Sequence, residues 1–305
     1  MTATTRRPAG TSDTPRTTSP RADCTADSAG GLSFDIRLPD TAPPGAVPSA
    51  AVPSDAAERW DAALLLRLRK SDPEESVRLP LVPSSGGTVL RAALPSTVPL
   101  AEGRWDAYLR LGDGEPQRLL PGCNDLRSLV DRIPRTDRTW LGVRIPYTTK
   151  YGNLSVRAWL RWPHAEAGEV WPRDGGVTVH GRLYGAELTP TARLEARPHG
   201  VPPPDAPTVT GPVTPGGGHG FTARLAYRDL VREPGTEEWD LWLRPGEDAE
   251  PVRLARILDD IADKQKILRY PAQAVIDKGP GEESLWARPY YTGDNDLSMR
   301  LERSP

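Results

Sequence analysis

A chain of 305 residues with 39 basic and 41 acidic side chains, a formal net charge of −2 and 37% hydrophobic residues suits two domains, each large enough to bury a core of its own. The charge balance leaves no basic stripe of the kind nucleic-acid readers carry, and no apolar run approaches the ~18 residues of a membrane-crossing helix, so neither nucleic acid nor a direct membrane span is expected. The two cysteines, Cys24 and Cys123, make no disulfide framework, and the four histidines, His164, His180, His199 and His219, lack metal-ligand spacing; no cofactor and no metal are expected.

Residues Met1 to Asp27 are mostly Thr, Ser, Pro, Arg and Ala, without the apolar stretch of a secretory signal. Residues 1–29 read as a disordered tail, too poor in apolar surface to offset chain entropy. A cytoplasmic location is expected, with any membrane reached only through a partner. From Gly30 onward the apolar pattern has period two. Leu32, Phe34, Ile36 and Leu38 alternate with polar residues; Ala63 to Arg69, then Trp105, Ala107 and Leu109, then Leu154, Val156 and Ala158 continue in kind. Alternation over short runs predicts half-buried strands. The second half returns to the same phrases in the same order. Gly30-Gly31-Leu32-Ser33-Phe34 comes back as Gly175-Gly176-Val177-Thr178-Val179, and Arg104-Trp105-Asp106 as Glu238-Trp239-Asp240. Pro146-Tyr147-Thr148-Thr149 and Asn153-Leu154-Ser155-Val156-Arg157 return as Pro289-Tyr290-Tyr291-Thr292 and Asp296-Leu297-Ser298-Met299-Arg300.

Two copies of one domain are therefore expected, over 30–162 and 175–305, joined by a linker at 163–174 in which Pro163, Gly168 and Pro172 act as breakers. Short strands separated by turns such as Pro43-Pro44-Gly45, Gly86-Gly87 and Gly216-Gly217-Gly218 argue for an all-β chain of tandem immunoglobulin-like β-sandwiches, without the diagnostic disulfide. Leu254, Ile257, Leu258 and Ile261 have helical spacing and predict a short helix running on toward Leu268; Leu126, Leu129, Val130 and Ile133 predict a shorter one stopped by Pro134.

Chemistry-bearing motifs are few. Trp105-Asp106 and Trp239-Asp240, with Trp60-Asp61 as a partial echo, read as core tryptophans whose aspartates cap turns. Asp294-Asn295-Asp296 spells a metal-binding Asp-x-Asp, but its counterpart is Tyr151-Gly152-Asn153, so a turn explains it more simply. Gly216-Gly217-Gly218-His219-Gly220 has neither the following helix nor the Lys of a phosphate loop, and no nucleophile elbow or His-Glu-x-x-His occurs; no catalytic residue is assigned. The aromatic turns before each last strand are the candidate ligand site. Tyr147, Tyr151 and Asn153, with Tyr290, Tyr291 and Asp296, combine apolar ring faces with fixed polar groups, as a glycan surface requires.

The phrases Gly103 to Gly112, Trp239 to Arg244 and Pro146 to Arg157 resemble the accessory β-sandwich modules found beside actinobacterial cell-envelope glycosyltransferases and teichoic-acid glycerophosphotransferases. The resemblance covers nearly all of the chain after the tail, on short structural motifs, and the catalytic domain of those enzymes has no counterpart here. It implies a non-catalytic protein that binds a cell-envelope glycan or scaffolds a transferase partner. The alternatives are a glycosyl- or other group transferase, resting on Asp294 and Asp296, and a protein–protein adaptor that uses sheet edges.

Overall fold

The computed structural model describes residues 19–39, 62–84, 89–130, 132–135, 139–202, 207–231, 235–276 and 284–304. Most of the expected tail (residues 1–18) and the expected features Pro43-Pro44-Gly45, Trp60-Asp61 and Gly86-Gly87 lie outside the described residues. What is described is all-β. In the first half the strands are β1 (Arg21–Ala26), β2 (Leu32–Arg37), β3 (Ala62–Leu68), β4 (Ser76–Pro80), β5 (Val82–Pro83), β6 (Val89–Leu94), β7 (Gly103–Leu111), β8 (Gln117–Arg118), β9 (Leu120–Asp125), β10 (Leu141–Thr148) and β11 (Leu154–Arg161). They form one sheet in the order β5-β6-β2-β1-β9 and another in the order β10-β11-β7-β3-β4, with β8 beside β7. The two sheets share one core, in which Phe34, Leu64, Trp105, Val156 and Trp159 are buried.

The second half comprises β12 (His164–Arg173), β13 (Gly176–Tyr184), β14 (Arg193–Pro198), β15 (Val209–Pro215), β16 (Gly220–Ala226), a single helical turn α1 (Tyr227–Leu230), β17 (Glu238–Arg244), β18 (Val252–Ala255), β19 (Gln273–Ile276), β20 (Ser284–Tyr291) and β21 (Leu297–Ser304). The sheet runs β14-β15-β16-β13-β12-β18-β17-β21-β20-β19, and β14 also pairs with β17, so the strands from β14 round to β17 close into a barrel with Trp239, Leu241 and Phe221 inside. Alternation is realised as written: β2 reads buried-exposed along its length, and the two Trp-Asp tryptophans, Trp105 and Trp239, are fully buried. The recurring phrases occupy matching register. Tyr147 pairs with Ser155 and Arg157 with Arg104, as Tyr290 pairs with Ser298 and Arg300 with Glu238.

Four expectations are corrected. Arg21–Ala26, inside the segment read as tail, is β1: Ala22, Cys24 and Ala26 alternate into the core, small enough for their apolar character to be lost in a Thr/Pro/Arg-rich composition. The stretch 163–174 is β12, not a linker; its Pro172 sits where β12 has β13 on one side and no ladder partner on the other, a place an imino acid tolerates. The segment from Leu254 to Leu268 is no helix. Leu254 faces the second core, while Ile257 and Leu258 enter the first. Their backbone N–H groups donate to the Glu166 carboxylate at 3.0 and 3.1 Å, a tertiary capture that overrides helical spacing. Among the described residues from Leu126 to Ile133 only Arg127–Leu129 makes a 3-10 turn; Leu129 is buried and Ile133 is 68% exposed.

Because Ile257 is wholly buried between the halves, Ile257→Ala is expected to cost ~2–5 kcal/mol in denaturant unfolding followed by tryptophan fluorescence. Ile267→Ala, at an exposed neighbouring position, is the control expected to leave the midpoint in place.

Candidate functional site

The two aromatic turns are hairpin tips of one design. In the first, Thr149 N–H donates to the Asn153 carbonyl at 2.9 Å and Asn153 N–H to Thr149 Oγ1 at 3.1 Å. In the second, Thr292 N–H donates to the Asp296 carbonyl at 2.8 Å and Asp296 N–H to Thr292 Oγ1 at 3.2 Å. Gly152 (φ 76°) and Asn295 (φ 61°) hold the same left-handed position, which glycine and asparagine tolerate best.

The surroundings of the tips differ completely. The first is solvent-facing: Tyr151 is 76% exposed with the Lys150 ammonium 4.7 Å from its ring centre, and Tyr147 is half-buried. The second is packed against the first half. Arg104 Nη2 donates to the Gly293 carbonyl at 3.0 Å and Trp159 Nε1 to the Asp294 carbonyl at 2.9 Å. Arg157 pairs with the Asp294 carboxylate at 2.6 Å, and Arg161 with Asp296 at 2.7 Å. The carboxylates of the Asp-x-Asp sequence are thus held by arginines across the junction. Tyr291 is fully buried and burial pushes its hydroxyl well above the ordinary tyrosine pKa. Tyr290 is half-buried under the Arg300 guanidinium, 4.5 Å from its ring centre. The six residues expected to make a glycan surface are therefore not gathered: Tyr291 offers no face, and Asp296 belongs to the junction.

The aspartates of the Trp-Asp pairs tie strands together instead of capping turns. Asp106 accepts from Arg69 Nε at 2.7 Å and Ser155 Oγ at 2.7 Å; Asp240 accepts from Arg253 Nη2 at 2.8 Å and Ser298 Oγ at 3.0 Å. Burial pushes the Asp106 carboxyl up, but Arg69, Ser155 and the charge of Arg118 outweigh it and hold the group below 3.8.

A concave, polar and aromatic surface lies elsewhere. β12 and β13 pair with Ala167 opposite Gly181 and Val170 opposite Val179, so two residues of β12 face one of β13: a β-bulge at Gly168 and Glu169. A Cβ on Gly168 would come within 2.9 Å of the His180 carbonyl, which is why the bulge uses glycine. Ala165 and Ala167 point into the barrel. After the bulge Val170 packs inward and Glu169, Trp171 and Arg173 point out. Trp171 is 43% exposed; its Nε1 donates to Glu169 at 3.2 Å and Arg173 lies 4.9 Å from its ring centre. Thr178 stands opposite it on β13, with Arg224 beyond on β16 and His180 one step along. Toward the first half this sheet face becomes the floor of a groove of about 830 Å³, walled by Val130 and Ile133 on one side and by Arg256, Leu258 and Asp259 to Ile261 on the other, with Glu166, Glu169, His180, Arg182 and Tyr184 beneath. That size accommodates a drug-sized ligand or several sugar rings. Among the described residues no group of three His, Cys, Asp or Glu side chains is placed to hold a metal ion. Trp171 is hidden in the sequence because Gly168 and Pro172 look like breakers, although the alternation Glu169-Val170-Trp171-Pro172-Arg173 carries the strand signal.

No protein-family profile and no curated protein matches the chain. Solved structures give low likenesses. S. aureus TarS is 14% identical with a TM-score of 0.30, over 72% of this chain and 38% of that one. A TarS fragment is 12% identical with a TM-score of 0.29, over 72% and 59%. A pullulanase complexed with maltotriose, from Anoxybacillus sp. LM18-11, is 11% identical with a TM-score of 0.23, over 75% and 24%. The chain thus spans less than two thirds of each of these proteins, and no helix among the described residues is long and apolar enough to cross a membrane.

Asp106, held below its ordinary pKa, stabilises the fold while ionised. Asp106→Asn is expected to cost ~1–3 kcal/mol at neutral pH. The gap from wild type should close as pH falls below 3.8, where Asp106 takes up its proton; urea unfolding at stepped pH reads both.

Proposed function

We propose that this protein is a non-catalytic polysaccharide-binding module that bears two related β-units, with the groove between its halves and the Trp171 platform as one continuous site, and that it serves as an accessory to cell-envelope polymer synthesis. The observation that carries the reading is Trp171. A large ring presented on an antiparallel sheet, beside Arg173, Thr178 and Arg224 and leading into a groove, supplies what a sugar needs: an apolar face for its C–H groups and fixed polar groups for its hydroxyls. Two of the groove's carboxylates favour binding over catalysis, since Glu166 is engaged by two backbone N–H groups and Asp259 by Arg256 and Lys264. The link to envelope polymers rests on the sequence phrases that resemble transferase-associated modules.

Isothermal titration of the full chain against soluble wall teichoic acid, peptidoglycan fragments and maltooligosaccharides tests the reading. One of these is expected to bind, and Trp171→Ala to weaken it at least roughly tenfold, ~1.4 kcal/mol, with the unfolding midpoint kept; Tyr151→Ala is expected to bind as wild type. Equal binding by wild type and Trp171→Ala would remove the platform from the site.

A further inference from the structure

The face that presents Trp171 treats its arginines differently from other outward sheet faces of this chain. Elsewhere Arg91 stands against Asp35 at 2.6 Å, Arg69 against Asp106 at 2.5 Å, Arg300 against Glu238 at 2.6 Å, and Arg288 against Glu302. Arg173, Arg182 and Arg224 are exposed, and among the described residues none of the three has a carboxylate within ion-pair distance. Register brings them to one face. Along β13 the side chains of Thr178, His180 and Arg182 turn outward between the inward Val177, Val179 and Leu183. Thr178 has Trp171 opposite it on β12 and Arg224 opposite it on β16. Arg173, two residues along β12 from Trp171, shares its face and stands opposite Gly176. Gly176 has no side chain, so the floor between Arg173 and Arg224 is bare backbone and the Thr178 hydroxyl.

The carboxylates nearest this row are already engaged. Glu169 accepts from Trp171 Nε1 at 3.2 Å, and Glu166, opposite Arg182, accepts the N–H groups of Ile257 and Leu258. Like charges left unpaired on one face repel one another and do not stabilise the fold. A local departure of this kind belongs at a functional site. Guanidinium groups match the oxygens of phosphate and carboxylate, and Arg173 is steadied by the indole, 4.9 Å from its ring centre. Resting on the reading of Trp171 as a sugar platform, we propose that the polysaccharide is anionic. A phosphodiester or carboxylate of its repeat sits over Thr178 between Arg173 and Arg224, with the adjoining sugar ring on Trp171. A nucleic acid fits less well, since a single strand asks for successive stacking rings along a continuous positive track. This face offers one exposed tryptophan among the described residues and leads into a groove that bears Glu169 and Asp260.

Titration calorimetry of the full chain at low and high salt, with wall teichoic acid, polygalacturonate, a neutral maltooligosaccharide and a deoxythymidine oligonucleotide as probes, tests this. At least one of the two anionic polysaccharides is expected to bind at least roughly tenfold more tightly than the neutral one, and to weaken as salt screens the contact. Which of the two binds tells a phosphodiester from a carboxylate. The double variant Arg173→Gln/Arg224→Gln is expected to lose that preference and its salt dependence with the unfolding midpoint kept, and Arg224→Lys, which keeps the charge, to retain most of it. If Trp171→Ala weakens binding while the double variant binds the anionic polymer as wild type does, or if the neutral probe binds equally well, the anionic assignment is overturned and the sugar platform stands. If the double variant loses binding and Trp171→Ala keeps it, the charged site stands and the platform reading falls. Failure of both anionic polysaccharides to bind, or tighter binding of the oligonucleotide than of either, also overturns the proposal.

Discussion

The Glu166 carboxylate accepts the N–H groups of Ile257 and Leu258 while His164, wholly buried, places Nε2 2.7 Å from the same group. Buried backbone donors must find acceptors, and here a single side chain on β12 satisfies two consecutive ones. That capture draws two apolar side chains of the second half into the core of the first and lays the following residues along the groove as its wall. The wall is pinned further along by buried Lys264, whose Nζ donates to Asp259 at 2.6 Å and whose backbone N–H donates to Asn295 at 3.0 Å. Asn295 is the left-handed residue of the docked tip, so the groove wall and the tip are fastened to each other. The site and the junction are consequences of the same few polar contacts.

Strand content was legible because the side-chain period of two needs no partner to be seen: β2, β7, β11 and β17 follow directly from Phe34, Trp105, Val156 and Trp239. What was illegible was decided by tertiary contacts. The helical spacing of Leu254 to Ile261 is genuine in the sequence, yet its apolar residues belong to two different cores, and no single helix face could serve both. β1 was hidden by its small side chains, and β12 by a glycine and a proline that mark a bulge and a strand edge.

The recurring aromatic turns invited a shared role, and the structure divides it. Residues that match between the halves, such as Asp106 with Asp240 and Ser155 with Ser298, bind strand to strand. Residues that differ, Lys150 and Tyr151 against Gly293 and Asp294, settle whether a tip is packed or exposed. Trp171 lies outside the recurring phrases altogether; among the described residues it is the one exposed tryptophan, and the sheet presents it beside a groove.

The bulge at Gly168 and Glu169 gives β12 a tolerance of length. Side chains on a strand change sides with every residue, and the inward positions before the bulge, Ala165 and Ala167, would by simple alternation continue as Glu169 and Trp171. The extra residue hands those inward places to Val170 and Pro172. Deleting one codon at Gly168 would pair Glu169 with His180 and restore plain alternation, with Val170 still turned inward and Trp171 still turned out. Strand length and ring placement are thereby uncoupled at this point: the bulge takes up one residue locally, and the outward ring persists whether that residue is present or removed.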